Sequence, residues 1–222
     1  MATSTESLHL QLNSFFQSRK TFYQFLHLLF LDPSIGNGLF EKREMFNFQD
    51  LAEVHEGGKI LFRYFEHLSA NQIIEDEAEY RRLFVGPGPL VAPPWESYYR
   101  SKEQLLFEEW TYQIRELYHQ FGLQSIKENN EPDDHLLIEL EFMIFLSDTC
   151  LHETLDEKIV DLISTQISFF ENHLNQWIPY FCKRLIENTN SQLYLGAALM
   201  LEDFLSFDLQ SLYEVREALT ND

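Results

Sequence analysis

The chain has few of the residues that interrupt helices or build disulfide frameworks. Its 222 residues include 8 Gly, 7 Pro and 2 Cys. Cys150 and Cys182 lie far apart and form no C-x-x-C pair. This usage suits a reducing compartment, where free cysteine behaves as a small buried apolar residue. Few stretches alternate apolar and polar residues as strands do, so the composition favours helix.

Positive charge is also scarce. Sixteen basic residues face 36 acidic ones, which leaves a formal net charge of −20. Such a field repels phosphate backbones and anionic lipids, so nucleic acid and membrane surfaces are poor partners. It attracts a basic peptide, although an acidic surface can equally serve only to keep a protein in solution.

Long apolar runs are missing. The longest near the start, residues 25–31, contains His27 and is too short to cross a bilayer. It also lacks the basic flank and small-residue cleavage site of a signal peptide. We therefore expect a cytoplasmic protein that is not integral to the membrane.

The sequence lacks the local signatures of common enzymes. It has no G-x-G-x-x-G, no phosphate-binding P-loop and no G-x-S-x-G elbow. His135 and Glu139 stand one helical turn apart and could share a metal, but no equivalent pair occurs on another helix. We predict no catalytic residues, no metal and no cofactor. A triad assembled from distant residues stays open.

The apolar content is ample for one core. Apolar residues make up 45% of the chain, including 20 Phe and 10 Tyr. We predict a single compact all-α domain over residues 1–222, with about eight to ten helices. The periodicity and capping patterns place its helices at about 8–29, 50–68, 71–84, 101–121, 132–149, from 154, 191–206 and 208–219, with a bend or new start at 177–179.

Loops separate these helices at two marked places. Gly36 to Gly38 reads as a loop, and Gly57-Gly58 as a weak point within the second helix. Residues 86–94 hold four of the seven prolines, so they form a stiff, non-helical connector and a candidate internal boundary.

The predicted helix over 132–149 has almost no polar face. Such a helix in a protein of this kind should be central. Glu139 and Glu141 lie about 200° apart around it at ~100° per residue, so they cannot share one solvent face. At least one of them needs a partner or a groove.

Three segments of the chain carry motifs that belong together. The first comprises residues 79–88 (EYRRLFVGPG) and 92–99 (APPWESYY). The second comprises 131–135 (EPDDH) and 139–143 (ELEFM), and the third 173–174 (HL) and 177–181 (WIPYF). In this order and spacing they resemble the TorD/DmsD/NarJ family of redox-enzyme maturation chaperones, and the flanking helices match only by general pattern.

This resemblance implies a cytoplasmic chaperone, not an enzyme. Members of the family bind the twin-arginine signal peptide of a molybdenum-containing oxidoreductase subunit and delay its export until the cofactor is inserted. The implied partners are that signal peptide, its precursor and the export machinery, and the implied state is a monomer or a domain-swapped dimer. Two alternatives remain open: a helical metal-binding protein or enzyme, and a helical adaptor for a folded partner.

Position within the matching motifs nominates six peptide-binding residues: Trp95, Tyr98, Asp134, His135, Leu83 and Phe84. Each also has a purely structural interpretation. The two aromatic residues of the 92–99 segment could pack the connector onto the core. Asp133 and Asp134 could serve the first turn of the helix that Pro132 is expected to open. His135 could be a buried and satisfied histidine, and Leu83 and Phe84 could be core residues.

Overall fold

The computed structural model describes residues 4–34, 48–126, 128 and 130–220. Within those ranges the chain is helical and has no strand. The α-helices are α1 (Ser4–Phe30), α2 (Phe48–Val54), α3 (Glu56–Glu66), α4 (Ala70–Tyr80), α5 (Glu96–Arg100), α6 (Glu109–Gln120), α7 (Leu136–His152), α8 (Asp156–Phe169), α9 (Asn175–Asn188) and α10 (Gln192–Thr220). Two π-helical turns, Arg81–Val85 and Phe170–Leu174, follow α4 and α8. The predicted all-α fold is confirmed.

Three helices hold the core together. Helix α1 packs along α7 and also contacts α10, while α10 contacts α3, α8 and α9. Aromatic side chains fill the space between them, and the largest fully buried ones are Trp177, Tyr23, Tyr194, Phe16, Phe25, Phe169, Phe170 and Phe181. Both cysteines are unpaired and buried as expected, and burial raises the pKa of the Cys150 thiol to about 12.

Helix α7 is central, as its composition predicts. It is apolar nearly all round, and the two glutamates separate as expected. Glu139 is fully buried, whereas the side chain of Glu141 is exposed and pairs with His27 on α1. Residues 86–94 form no helix. That they mark an internal boundary stays a prediction.

The break in the second predicted helix lies at His55, two residues before the expected weak point. His55 caps α3, its Nδ1 accepting the Gly58 N–H. The two glycines instead allow the backbone of α3 to lie close to neighbouring helices, Gly57 to α10 and Gly58 to α2. A Cβ added to Gly57 would lie 2.8 Å from the carbonyl oxygen of Gly196 on α10. Gly36 to Gly38 lie outside the described residues.

Two predicted helix starts are wrong, and a third helix is capped by Leu155 where Thr154 was expected. The helix expected from Ser101 begins at Glu109, because Ser101 Oγ instead accepts N–H groups of a loop whose Gln104 and Phe107 have positive φ. The helix expected to open at Pro132 begins at Leu136, and the one expected from Thr154 begins at Asp156. Before α7 the backbone bonds the connector, with Leu136 N donating to the Pro94 carbonyl. Before α8 the Glu153 carboxylate accepts the N–H groups of Thr154 and Leu155.

The two helices predicted near the end of the chain are one continuous helix, α10. The interruption expected between 206 and 208 is therefore absent. Next to it, Asp208 is buried and pairs with Arg19 in the core, which fixes this part of α10 against α1. The bend or new start expected at 177–179 corresponds to the start of α9, which begins at Asn175 after the second π turn and has Pro179 in its second turn.

Candidate functional site

Two distant segments of the chain pair directly at the predicted site. Leu136 N donates to the Pro94 carbonyl at 2.9 Å, and Glu96 N donates to the Asp134 carbonyl at 3.0 Å. These bonds form an isolated antiparallel bridge between Trp95 and His135, whose ring centroids lie 5.3 Å apart. The structure thus joins the end of the proline-rich connector to the start of α7. We call residues 94–97 and 134–136 the junction.

Asp134 lies inside the junction, with no exposed surface. Its Oδ2 accepts the Ser97 N–H at 2.6 Å, and its Oδ1 accepts the Thr111 hydroxyl at 2.7 Å. Burial raises the pKa of this carboxyl, and the bonds from Ser97 and Thr111 act against that rise. Asp134 therefore links the segment before α7 to both α5 and α6.

The expected place of Asp133 and Asp134 in a first helical turn is wrong. Helix α7 is capped by His135, whose Nδ1 accepts the Leu137 N–H at 3.1 Å, so both aspartates precede the helix. Asp133 is buried and forms an ion pair with Arg115 of α6. Both carboxylates hold the loop before α7 through contacts with α5 and α6, and neither lies in the first turn of α7.

Three of the predicted peptide-binding residues keep part of their surface exposed. Trp95, Tyr98 and His135 are half-buried. The Trp95 Nε1 finds no partner among the described residues, and the Arg184 guanidinium lies 5.5 Å from the centre of the Tyr98 ring. These three side chains are therefore the members of the predicted set that a ligand could reach without a rearrangement.

Leu83 and Phe84 lie in the core. Leu83 is fully buried, and Phe84 contacts the rings of Phe30, Tyr80, Phe181 and Tyr194. Phe84 does reach the wall of one recess, which it shares with Pro94 and His135. The volume of that recess is about 10 Å³, too small to hold another side chain.

Glu96 belongs to this site, although its position in the motif gave no signal. It is completely buried; one carboxylate oxygen contacts Arg100, and the other bonds His173 Nδ1 at 2.9 Å. Glu139 lies close by and accepts the Trp177 Nε1–H at 3.0 Å. The spacing of Glu96 and Arg100, one helical turn apart, was the available clue to a pair. We call Glu96, Arg100, Glu139, His173 and Trp177 the buried acid cluster.

Burial, followed by the nearby Glu96 carboxylate, raises the pKa of Glu139 well above its ordinary value. The folded protein therefore holds this proton more tightly than the unfolded chain does. The stabilisation is complete below the carboxyl pKa of the unfolded chain, about 4.3, and is lost as pH rises through the folded pKa. We expect Glu139→Gln, which is neutral at every pH, to gain stability relative to wild type as pH increases from 4 to 9.

Urea denaturation at each pH measures this difference. Glu141→Gln is the matched control, because it removes an exposed carboxylate from the same helix. Stability curves for wild type and Glu139→Gln that run parallel across the whole range would contradict the assignment of a tightly held proton.

A second buried polar cluster lies between α1 and α10. The Arg19 guanidinium binds both carboxylate oxygens of Asp208, at 2.6 and 2.8 Å, and also donates to Gln166 at 2.6 Å. The Tyr23 hydroxyl donates to Asp208 at 2.7 Å. Both charges are thus removed from water and satisfied by each other.

Among the described residues, no three His, Cys, Asp or Glu side chains lie together as a metal site would require. His135 and Glu139, the pair whose spacing could suit a metal, make other contacts, because His135 caps α7 and Glu139 bonds Trp177. Within the same residues, no helix is both long enough and apolar enough to cross a bilayer.

Comparison with known proteins supports the resemblance. The family described as nitrate reductase delta subunit matches residues 49–183. The chaperone protein TorD of Aliivibrio fischeri is 29% identical over 180 residues, which cover 79% of this chain and 83% of that protein. TorD of Aliivibrio salmonicida is 26% identical over 212 residues, covering 91% and 98%. The Tat proofreading chaperone DmsD of Salmonella typhi is 28% identical over 115 residues, covering 52% and 51%.

A solved structure shares the fold. The crystal structure described as a redox enzyme maturation protein from Archaeoglobus fulgidus aligns with a TM-score of 0.54 at 24% identity. The alignment covers 85% of this chain and 93% of that one. The helical architecture therefore extends well beyond the segment that the family matches.

Proposed function

This chain belongs to the nitrate reductase delta subunit family, which includes the TorD and DmsD chaperones, and from that premise we propose that it is a redox-enzyme maturation chaperone. Its client is the precursor of an exported molybdoenzyme subunit, and the part it binds is the twin-arginine leader. Binding in the cytoplasm delays export until the cofactor is in place. The chain acts by binding and not by catalysis.

The observation that carries this proposal is the junction. It connects two of the family segments and leaves the rings of Trp95, Tyr98 and His135 partly exposed. The rings of Trp95 and His135 are in contact, and Tyr98 follows Trp95 by three residues. A leader has a basic front and an apolar middle. Aromatic surface on a chain of net charge −20 is complementary to both parts.

The apolar part of the leader should dominate affinity. Each apolar side chain that is fully buried contributes about 1.5–3 kcal/mol before the costs of ordering. An exposed carboxylate–arginine pair adds only about 0–1 kcal/mol. Charge therefore governs approach and orientation more than strength.

Calorimetric titration with synthetic twin-arginine leaders tests the proposal. We expect a micromolar or tighter complex with at least one leader and a negative heat capacity change from apolar burial. Trp95→Ala should weaken that complex about tenfold, because a half-buried indole contributes on the order of 1–2 kcal/mol to a contact of this kind.

Tyr180→Ala is the matched control, since Tyr180 is an aromatic residue that is 64% exposed and lies outside the junction. It should bind leaders as wild type does. If no leader binds under any salt or temperature condition, the proposal fails. Binding of the mature subunit without its leader, and of no leader alone, would favour an adaptor instead.

A further inference from the structure

A large apolar groove lies away from the junction, between the first and last helices. Its walls come from α1, α2, the cap of α3 and α10, and its volume is about 560 Å³. This volume falls within the ~300–1,000 Å³ range typical of ligand sites. We call it the α1–α10 groove; its lining includes Arg19, Phe22, His55, Asp203, Phe204 and Phe207.

The groove presents aromatic surface to solvent. Phe22 and Phe204 stack with their ring centroids 4.1 Å apart, and both are half-buried. Phe207, one helical turn from Phe204, is 71% exposed. An exposed phenylalanine beside a large apolar recess is the arrangement expected where another apolar segment docks.

The charges around the groove determine which kind of peptide segment it can bind. The Arg19 guanidinium at its base is neutralised by the two-oxygen contact with Asp208. At the rim, the Asp203 side chain is 68% exposed and contacts the His55 ring. Among the described lining residues, no lysine or arginine is left without a carboxylate partner. The groove therefore favours an apolar segment flanked by positive charge and disfavours an acidic one.

We infer that the α1–α10 groove binds the apolar middle of the client leader, with basic residues of the leader near Asp203. This inference rests on the proposed function. The recess beside Pro94 and His135 has a volume of only about 10 Å³, so it cannot bury a run of apolar side chains. The groove can.

One leader is long enough to touch both places. Phe30, in the wall of the small recess, and Phe22, in the wall of the groove, are eight residues apart on α1, which is about 12 Å along the helix axis. An extended peptide spans about 3.3 Å per residue, so four residues of a leader cover that distance. Along α1, the small recess and the groove are thus offset by no more than a few residues of extended peptide.

The test uses the full-length protein and a synthetic twin-arginine leader. Phe207→Ala should weaken leader binding about tenfold, because it removes the most exposed aromatic wall of the groove. The matched control is Ile74→Ala, since Ile74 is 64% exposed and lies on α4, outside the groove. Circular dichroism and thermal unfolding should show both variants folded, as both replaced side chains are largely in solvent.

A second measurement on the wild-type protein locates the peptide without a mutation. A leader with benzoylphenylalanine in its apolar middle should, on irradiation, crosslink to residues 15–22 or 200–207. Asp203→Asn should weaken binding at low salt and have little effect at high salt, because screening removes the attraction between exposed charges. Asp161→Asn, at an exposed aspartate on α8, is its control.

The outcomes separate this inference from the proposed function. If the leader binds wild type but Phe207→Ala binds equally well and the crosslinks map elsewhere, the groove is not the site and the chaperone proposal stands. If the leader does not bind wild type, both fail. If Phe207→Ala instead dissociates a dimer of the chain and leaves leader affinity unchanged, the groove is a self-association surface and the inference is overturned.

Discussion

Replacing Arg19 with Met should lower the free energy of unfolding by about 3–5 kcal/mol, the largest stability effect that we predict. Removing one partner of a buried ion pair leaves the other charge in a low-dielectric interior without compensation. Here the remaining group would be Asp208, which is 1% exposed. It would keep only the Tyr23 hydroxyl of its described partners, while Gln166 and Ser147 would lose the guanidinium.

Urea denaturation measures this loss, and Lys20→Met is the control. Lys20 is the next residue along the same helix, but its pair with Asp148 is partly exposed, so its removal should cost less than about 1 kcal/mol. Equal losses in the two variants would contradict the assigned role of Arg19. Adding Asp208→Leu to Arg19→Met should recover part of the loss, because the uncompensated charge is then gone.

The second large effect is expected for Asp134→Ala, at about 3 kcal/mol or more. Two donors, the Ser97 N–H and the Thr111 hydroxyl, would be left buried without the carboxylate that accepts them. Bonds to a charged group contribute about 1.5–3 kcal/mol each. The bonds cross between segments that are 37 and 23 residues apart, so their loss should loosen the junction as a whole.

This variant also tests the prediction that Asp134 contacts the peptide. Stability is measured by urea denaturation, and leader affinity by calorimetry at a temperature where the variant is folded. Because Asp134 has no exposed surface, we expect most of any loss in binding to follow the loss in stability. Asp161→Ala, an exposed aspartate, serves as the control. A variant as stable as wild type that no longer binds a leader would instead favour direct contact.

Sequence patterns predicted well those parts of the fold that local forces determine. The apolar stripe of α1 ends where Asp32 and Pro33 follow it, and α7 is buried because its composition leaves no polar face. The helix end predicted at about 121 is confirmed, since α6 ends at Gln120 and Gly122 after it has a positive φ of 71° that glycine adopts without strain.

Two of the errors share a physical cause, which is that the deciding partner lies far away in the sequence. The break predicted near 207 is absent from α10, where Asp208 pairs with Arg19, 189 residues away. Pro132 suggested a helix start, yet the bonds between 94–97 and 134–136 hold the preceding loop extended until His135. No local periodicity contains that information.

The same reasoning applies to the candidate site. The motifs predicted that Trp95 and His135 both contact the peptide, and the structure places their rings in contact. The motifs could not reveal that Glu96 and Glu139 share a buried cluster with His173, because these residues come from three separate helical segments. It also gave no sign of the α1–α10 groove, which exists only when the two ends of the chain pack together.

The position of α1 and α10 at the centre of the packing has a practical consequence for anyone trimming this protein. The stretch that matches the family runs from 49 to 183 and omits both helices. A polypeptide cut to that stretch would expose the face of α7 that α1 covers and the faces of α3, α8 and α9 that α10 covers. The most recognisable part of the sequence is therefore not a minimal folding unit, and purification of that piece alone should yield aggregates.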